Sequence, residues 1–199
     1  MAIDLLKSVQ LGRFFLKSGL MSRKLSKKPS IWPVMKLLFI VRHAKSSWDN
    51  PSLRDFDRPL NGRGKRNVPD MGARLKGLNI APDLLLSSPA NRAITTAMGI
   101  AKALDYPLVE IEEAPDLYHA STSTIISQIA KVDAKVNTLM IFGHNPGFTD
   151  LIETLSDFEL YNLPTCAVCG IRFNINDWKQ ILNAQGEQFY YDYPKSRHI

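Results

Sequence analysis

Apolar residues along the chain fall into two patterns that alternate from residue 36 onward. Short continuous apolar runs, bounded by polar segments, are typical of buried strands in a parallel sheet. Apolar residues spaced three or four apart separate these runs and predict helices. The alternation predicts a single α/β domain of three layers with a mostly parallel central sheet. The predicted strands are residues 37–41, 84–86, 108–111, 139–142 and 167–173, with a hairpin partner at 188–193.

Two dipeptides predict where helices begin. Ser88-Pro89 and Asn145-Pro146 each place a capping side chain before a proline, which suits the first position of a helix. Four helices are predicted, each from apolar residues that would form its buried face. These residues are Val68, Met71, Leu75 and Leu78 in the first helix, Ala93, Ala97, Ile100, Ala101 and Leu104 in the second, Ile125, Ile126, Ile129 and Val132 in the third, and Phe148, Leu151, Ile152 and Leu155 in the fourth.

Charge is distributed unevenly over the 199 residues. The chain has 25 Lys and Arg against 19 Asp and Glu, a net charge of +6. Residues 1–34 carry all of this excess, so residues 35–199 are neutral and predict neither a nucleic-acid partner nor a membrane surface. We interpret residues 1–34 as a basic, disordered N-terminal extension rather than a targeting segment, and residues 35–199 as the domain.

Membrane and disulfide-rich classes are excluded by the same sequence. No stretch approaches the ~20 consecutive apolar residues of a membrane span. Two cysteines in 199 residues cannot form a disulfide scaffold, so the sequence predicts a cytoplasmic protein.

Candidate chemistry gathers where the predicted strands end. In an open parallel sheet, ligands bind beyond the carboxyl ends of the strands. The first strand is followed by Arg42 and His43, the second by Ser88 and then Arg92, and the fourth by His144. Guanidinium groups match phosphate oxygens, helix N-termini favour anions, and a neutral imidazole can attack phosphorus. The pattern predicts a phosphate pocket with a histidine nucleophile; His119 and His198 are predicted to face solvent.

Several segments resemble the histidine phosphatase superfamily, in the branch of SixA-type phosphohistidine phosphatases. The opening signature is residues 38–46, LFIVRHAKS, in which alanine follows the histidine as in that branch. The matching segments cover about residues 35 to 180 in the family's order, and the others are 57–64 (DRPLNGRG), 87–93 (SSPANRA), 143–147 (GHNPG) and 162–165 (NLPT).

The resemblance implies a phosphoglycerate mutase-like fold and a metal-independent phosphatase that needs no cofactor. His43 would become transiently phosphorylated, Arg42 and Arg92 would bind the phosphoryl oxygens, and His144 would donate a hydrogen bond to them. The implied substrate is a phosphorylated histidine of a signalling or phosphocarrier protein.

The remaining roles are less specific. Arg58 and Ser46 are candidates for substrate binding. Glu113 and Asp116 are candidates for the general acid, although both are also explained as solvated loop charges. Hydrolysis of phosphohistidine requires little proton donation from a general acid, because its imidazole leaving group can be protonated on its own ring.

Two other functions stay open at this point. One is a phosphomonoesterase acting on a small metabolite, and the other is a phosphate-binding module without turnover. Cysteine-dependent phosphatase chemistry is also suggested, by the five residues between Cys166 and Arg172, but the sequence argues against it. That segment is typical of a strand and cannot wrap around phosphate, and Cys166 and Cys169 on a strand face opposite sides. We therefore interpret both cysteines as buried strand residues.

Overall fold

A six-stranded sheet organises residues 35–196, the part of the chain that the computed structural model describes. The predicted extension at residues 1–34 lies outside the described residues, as does His198. Along the chain the strands are β1 (Lys36–Arg42), β2 (Leu84–Ser87), β3 (Glu112–Glu113), β4 (Thr138–Gly143), β5 (Val168–Phe173) and β6 (Glu187–Asp192).

The sheet is mixed, with its parallel part on one side. The strand order is β3-β2-β4-β1-β5-β6. Neighbouring pairs from β3 to β1 are parallel, whereas β5 and β6 are antiparallel to their neighbours. The carboxyl ends of β2, β4 and β1 therefore lie side by side at one edge.

Helices cover both faces of this sheet. They are α1 (Gly62–Gly77), α2 (Asn91–Ala103), α3 (Thr122–Ile129) and α4 (Gly147–Leu155), and short 3₁₀ helices span Asp55–Asp57, Leu108–Glu110, Pro115–Leu117 and Trp178–Asn183.

Strand β1 shows how the sequence pattern builds two cores. Successive side chains of a strand point to opposite faces. Leu38 and Ile40 belong to the core under α3 and α4, whereas Phe39 and Val41 belong to the core under α1 and α2. An apolar residue is therefore needed at every position, and the prediction of three layers is confirmed.

The prediction of a strand at residues 108–111 is wrong. Leu108–Glu110 is a 3₁₀ helix, and its apolar side chains are exposed, Val109 at 94%. The strand comes later as the polar pair Glu112–Glu113, held by pairing of Leu86 with Glu112 and Ser87 with Glu113. A two-residue strand at the sheet edge needs backbone hydrogen bonds more than buried side chains, so the apolar run misled the prediction.

Both predicted helix caps are also wrong, because their side chains are used elsewhere. Helix α2 begins at Asn91, after Ala90, and Ser88 Oγ lies 2.9 Å from Nε2 of His144. Helix α4 begins at Gly147 without a side-chain cap. The amide of Asn145 instead donates to the Leu163 carbonyl at 3.1 Å.

Candidate active site

The ends of the parallel strands place two histidines next to each other. His43 follows β1 and His144 follows β4, which is the neighbour of β1 in the sheet. The backbone N–H of His43 donates to the carbonyl of Gly143 at 3.0 Å, which extends the pairing by one residue. The centroids of the two imidazole rings are 5.0 Å apart.

His43 is arranged as a nucleophile. Its Nδ1 lies 2.8 Å from the carbonyl oxygen of Ala44, and only a donor can satisfy a carbonyl. The neutral ring therefore carries its proton on Nδ1 and its lone pair on Nε2. Burial lowers the pKa of His43 to about 4, and the positive charges of Arg92 and Arg42 act in the same direction. The ring is neutral at physiological pH.

His144 is arranged as a neutral donor. Burial, together with the nearby His43 and Arg92, lowers the pKa of His144 to about 2. Its Nε2 is 2.9 Å from Ser88 Oγ, while its Nδ1 is buried and has no hydrogen-bond partner among residues 35–196. When the Ser88 hydroxyl donates to Nε2, Nδ1 carries the proton and can donate to an anion.

Arg42 combines one anchored nitrogen with one unpaired nitrogen. Nη1 donates to the carbonyl of Leu163 at 2.6 Å, which fixes the guanidinium over the end of β1. Nε is buried and has no hydrogen-bond partner within the described part of the chain. A buried donor of this kind is costly unless it meets an acceptor, and an oxyanion supplies one.

Arg92 comes from the first turn of α2, and Asp55 holds it. Its Nη1 donates to the Asp55 carbonyl at 2.5 Å and its Nη2 to the Asp55 carboxylate at 2.8 Å. The Arg92 side chain is only 4% exposed, so its charge needs such a partner. The 3₁₀ helix Asp55–Asp57 thus connects the long loop after β1 to the predicted phosphate site.

Asp55 is a site residue that the sequence did not reveal. Besides Arg92, its carboxylate accepts hydrogen bonds from Nη1 of Arg58 at 2.9 Å and from the Tyr118 hydroxyl at 2.8 Å. Partial burial by itself raises the pKa of Asp55, but the hydrogen bonds from Tyr118, His119, Arg92 and Arg58 outweigh it and lower the pKa well below its usual range. The nearest signal in the sequence was Asp55 three residues before Arg58.

Arg58 and Ser46, the predicted substrate-binding residues, contact each other beneath the loop. Arg58 Nη2 donates to Ser46 Oγ at 2.8 Å and Nε donates to the Ser47 carbonyl at 3.0 Å. The guanidinium also lies over the ring of Trp48, 3.1 Å from its centroid. All three guanidinium nitrogens are bonded to the protein, so this arginine fixes the loop that carries Asp55.

The two candidate general acids lie apart from the histidine pair. Glu113 and Asp116 are both exposed. The carboxylate of Asp116 accepts a hydrogen bond from Gln128 of α3. Within residues 35–196 neither carboxylate makes a hydrogen bond or ion pair with His43, His144, Arg42 or Arg92.

His119 lies at the site, which corrects the prediction that it merely faces solvent. Its side chain is 53% exposed, yet its ring stacks on that of His144 with centroids 5.4 Å apart. Its Nε2 lies 3.1 Å from Oδ2 of Asp55. Its neighbour Tyr118 meets His144 edge to face, 5.6 Å away. No periodic pattern in the sequence indicates this position, because only a short 3₁₀ helix lies between β3 and α3.

Both cysteines are buried as predicted, but only Cys169 lies on a strand, because Cys166 is in the turn before β5 with a φ angle of 64°. Cys166 belongs to the core on one face of the sheet and Cys169 to the core on the other. Burial raises the pKa of each thiol to about 12. Arg172 pairs with Glu187 on β6. A thiolate nucleophile beside an arginine is therefore not formed here.

The described residues contain neither a candidate metal site nor a candidate membrane span. No group of three or more His, Cys, Asp or Glu side chains there could hold a metal ion. Within residues 35–196 there is also no helix with the length and hydropathy needed to cross a membrane.

Comparison with known families gives a direct match. Residues 38–122 match the family model of the histidine phosphatase superfamily, branch 1. An uncharacterised protein of Mycobacterium tuberculosis is 37% identical over 119 residues, covering 60% of this chain and 72% of the relative. An uncharacterised chloroplastic protein of Arabidopsis thaliana is 29% identical over 163 residues, covering 77% and 73%. The cytoplasmic location of the present chain stays a prediction.

Solved structures share the fold. The protein histidine phosphatase SixA in complex with tungstate has a TM-score of 0.67 at 22% identity, covering 79% of this chain and 97% of that one. A phosphoglycerate mutase from Bacillus anthracis has a TM-score of 0.59 at 16% identity, covering 74% and 96%. The predicted phosphoglycerate mutase-like fold is confirmed. Together, the matching family model and the similar mycobacterial relative show that this chain belongs to the histidine phosphatase superfamily and is a phosphatase.

Proposed function

We propose that the protein removes phosphoryl groups from phosphorylated histidines of a signalling or phosphocarrier protein, through a covalent phospho-His43 intermediate and without a metal ion. The observation that carries the proposal is the state of His43. Its Nδ1–H is held by the Ala44 carbonyl and its pKa is lowered to about 4, so Nε2 offers a lone pair at neutral pH.

The residues around His43 suit a phosphoryl group. Arg42 and Arg92 supply positive charge, and the buried nitrogens Arg42 Nε and His144 Nδ1 have hydrogen-bonding capacity that no described residue uses. Fixed donors of this kind stabilise the charge on the phosphoryl oxygens in the transition state of the transfer. The attack forms the bond from Nε2 to phosphorus as the bond to the leaving group breaks, and water then hydrolyses the phosphoenzyme.

The choice of substrate rests on chemistry and on similarity. A phosphohistidine leaves as an imidazole, which requires little help from a general acid. Within residues 35–196 neither the Glu113 nor the Asp116 carboxylate is hydrogen-bonded to the histidines or arginines of the site. The solved relative called a protein histidine phosphatase binds tungstate, a tetrahedral oxyanion. We propose that Arg58 and Ser46 support this site by fixing the loop that carries Asp55.

A single-turnover trap tests the proposal. The protein is mixed with a ³²P-labelled phosphohistidine carrier protein in EDTA, quenched in alkali, and examined for label. We expect label on the enzyme that is stable in alkali and lost in acid. His43→Ala should abolish it, and His198→Ala is the matched control that should retain it.

Each other outcome points to a different function. Label that persists in His43→Ala contradicts the assignment of the nucleophile. Transfer that requires a divalent ion contradicts metal independence. If the carrier stays phosphorylated but small phosphomonoesters label His43, the protein is a phosphomonoesterase. If no donor labels the protein although it binds inorganic phosphate, it is a binding module.

A further inference from the structure

His119 and Asp55 form a pair at the edge of the active site that phosphohistidine hydrolysis does not require. Nε2 of His119 lies 3.1 Å from Oδ2 of Asp55, and the His119 ring stacks on the His144 ring at an interplanar angle of 28°. His144 in turn contacts His43, so three imidazole rings follow one another across the site.

The backbone at His119 is held in a conformation that non-glycine residues rarely adopt. Its φ angle is 50°, in the left-handed region, and such residues cluster at functional sites. The segment that follows His119 packs closely on the start of α4. A Cβ atom at Gly147, the first residue of α4, would collide with the Ala120 carbonyl oxygen. The fold therefore specifies where this imidazole lies.

The charge of Asp55 fixes how the His119 ring carries its protons. Hydrogen bonds keep this carboxylate ionised at neutral pH, so it accepts a hydrogen bond from the Nε2–H group of His119 rather than donating one. Nδ1 is then the ring nitrogen of His119 that remains available to a substrate. No residue between 35 and 196 makes a hydrogen bond to Nδ1, and the side chain is half exposed. The charged and titratable groups around the ring are Asp55, Tyr118, His144 and Arg92.

A proton at this position matters for a leaving group more basic than imidazole. Alkoxide and phenoxide leaving groups need a proton as the P–O bond breaks, and a positioned donor contributes about 10²- to 10⁴-fold to such steps. Among the described residues, neither the Glu113 nor the Asp116 carboxylate makes a hydrogen bond or ion pair with the histidines or arginines of the site, whereas His119 stacks directly on His144.

We propose that His119, positioned by Asp55, is a proton donor that lets the same site hydrolyse phosphomonoesters as well as phosphohistidine. The inference rests on the proposed phospho-His43 intermediate. Nε2 of His43 forms a bond to phosphorus while the P–O bond of the ester breaks, and the oxygen keeps the electron pair and takes the proton from Nδ1 of His119. The neutral His119 then accepts a proton from the water that attacks phospho-His43, which restores both residues.

The test compares three phosphoryl donors that differ in their leaving group. They are phenyl phosphate, p-nitrophenyl phosphate, whose phenol is far more acidic, and the phosphohistidine carrier protein. The informative variants are His119→Asn and His119→Gly, because asparagine and glycine tolerate the left-handed backbone and neither can supply the proton. Asp57→Asn is the matched control, since the Asp57 carboxylate in the same 3₁₀ helix pairs with Arg54 outside the site.

We expect both His119 variants to lower kcat/KM for phenyl phosphate by about 10²-fold or more. The loss should be smaller for p-nitrophenyl phosphate, and within about threefold for the carrier protein, because better leaving groups need less proton transfer. Added imidazole should restore phenyl phosphate hydrolysis in His119→Gly, because the position is open to solvent. Asp57→Asn should match the unsubstituted protein on all three donors.

The contrary outcomes separate this inference from the proposed function. If the carrier protein labels His43 but neither ester is hydrolysed, the proposed function stands and the role of His119 is overturned. The role is also overturned if the variants lower activity by the same factor on all three donors, as a purely structural effect would. If no donor labels His43, both proposals fail.

Discussion

Acid should destabilise this protein through His43 and His144, the two histidines of the candidate active site. Burial lowers the pKa of His43 to about 4 and that of His144 to about 2, whereas both titrate near 6.5 in an unfolded chain. Between pH 6.5 and these values the unfolded state binds more protons than the folded state, so the free energy of unfolding falls as the pH falls. Asp55 adds nothing in this window, because its pKa is lowered and its contribution is lost only under more acidic conditions.

The size of the effect follows from the pKa differences. Lowering the pH from 7 to 5 should lower the free energy of unfolding by roughly 2 kcal/mol for each histidine, and therefore by about 4 kcal/mol for the two together. That is a large part of the stability of an ordinary domain, which is about 5–15 kcal/mol. The loss of stability that comes from His43 should level off below about pH 4. The loss that comes from His144 should continue at lower pH.

Urea unfolding at pH 7 and pH 5, in a buffer without phosphate, measures this loss. The protein should lose about 4 kcal/mol, and His43→Gln and His144→Gln should each lose only about 2 kcal/mol. Any destabilisation by the glutamine itself enters at both pH values and cancels. Equal losses in the protein and in both variants would refute the reasoning, because the pH dependence would then come from other groups.

Three further predictions concern single residues. Arg92→Lys should lower kcat/KM by about 10²-fold, because a lysine cannot bind the Asp55 carbonyl, the Asp55 carboxylate and a phosphoryl group at once. Unchanged steady-state kinetics would contradict this prediction. Cys166→Ala should retain phosphoenzyme formation, because the buried thiol with its pKa near 12 is not a nucleophile, and loss of label without loss of folding would contradict this. Gly147→Ala should lower stability by about 1–3 kcal/mol in urea unfolding, since its Cβ would lie 2.2 Å from the Ala120 carbonyl oxygen; unchanged stability would mean the loop moves freely.

Much of the fold was determined by local pattern. The apolar runs at β1 and β4 require burial on both faces, and only a central strand between two helical layers provides it. The same logic located Arg42, His43 and His144, because residues that follow parallel strands meet at one edge of the sheet. The edge strand β3 was misplaced because backbone pairing, not side-chain burial, sets its position.

The sequence by itself thus determined the central strands, the edge of the sheet at which the candidate site lies and the residues that follow those strands. Only the tertiary structure decided what surrounds them. Asp55 lies in a short 3₁₀ helix, 63 residues before Tyr118 and 64 residues before His119, and no periodicity links them. The local sequence at Ser88 and Asn145 is typical of helix caps. In the folded protein, however, the Ser88 side chain contacts His144 and the Asn145 side chain donates to the Leu163 carbonyl. Hydrogen bonds between distant loops depend on how the loops pack, and that packing exists only once the whole domain has formed.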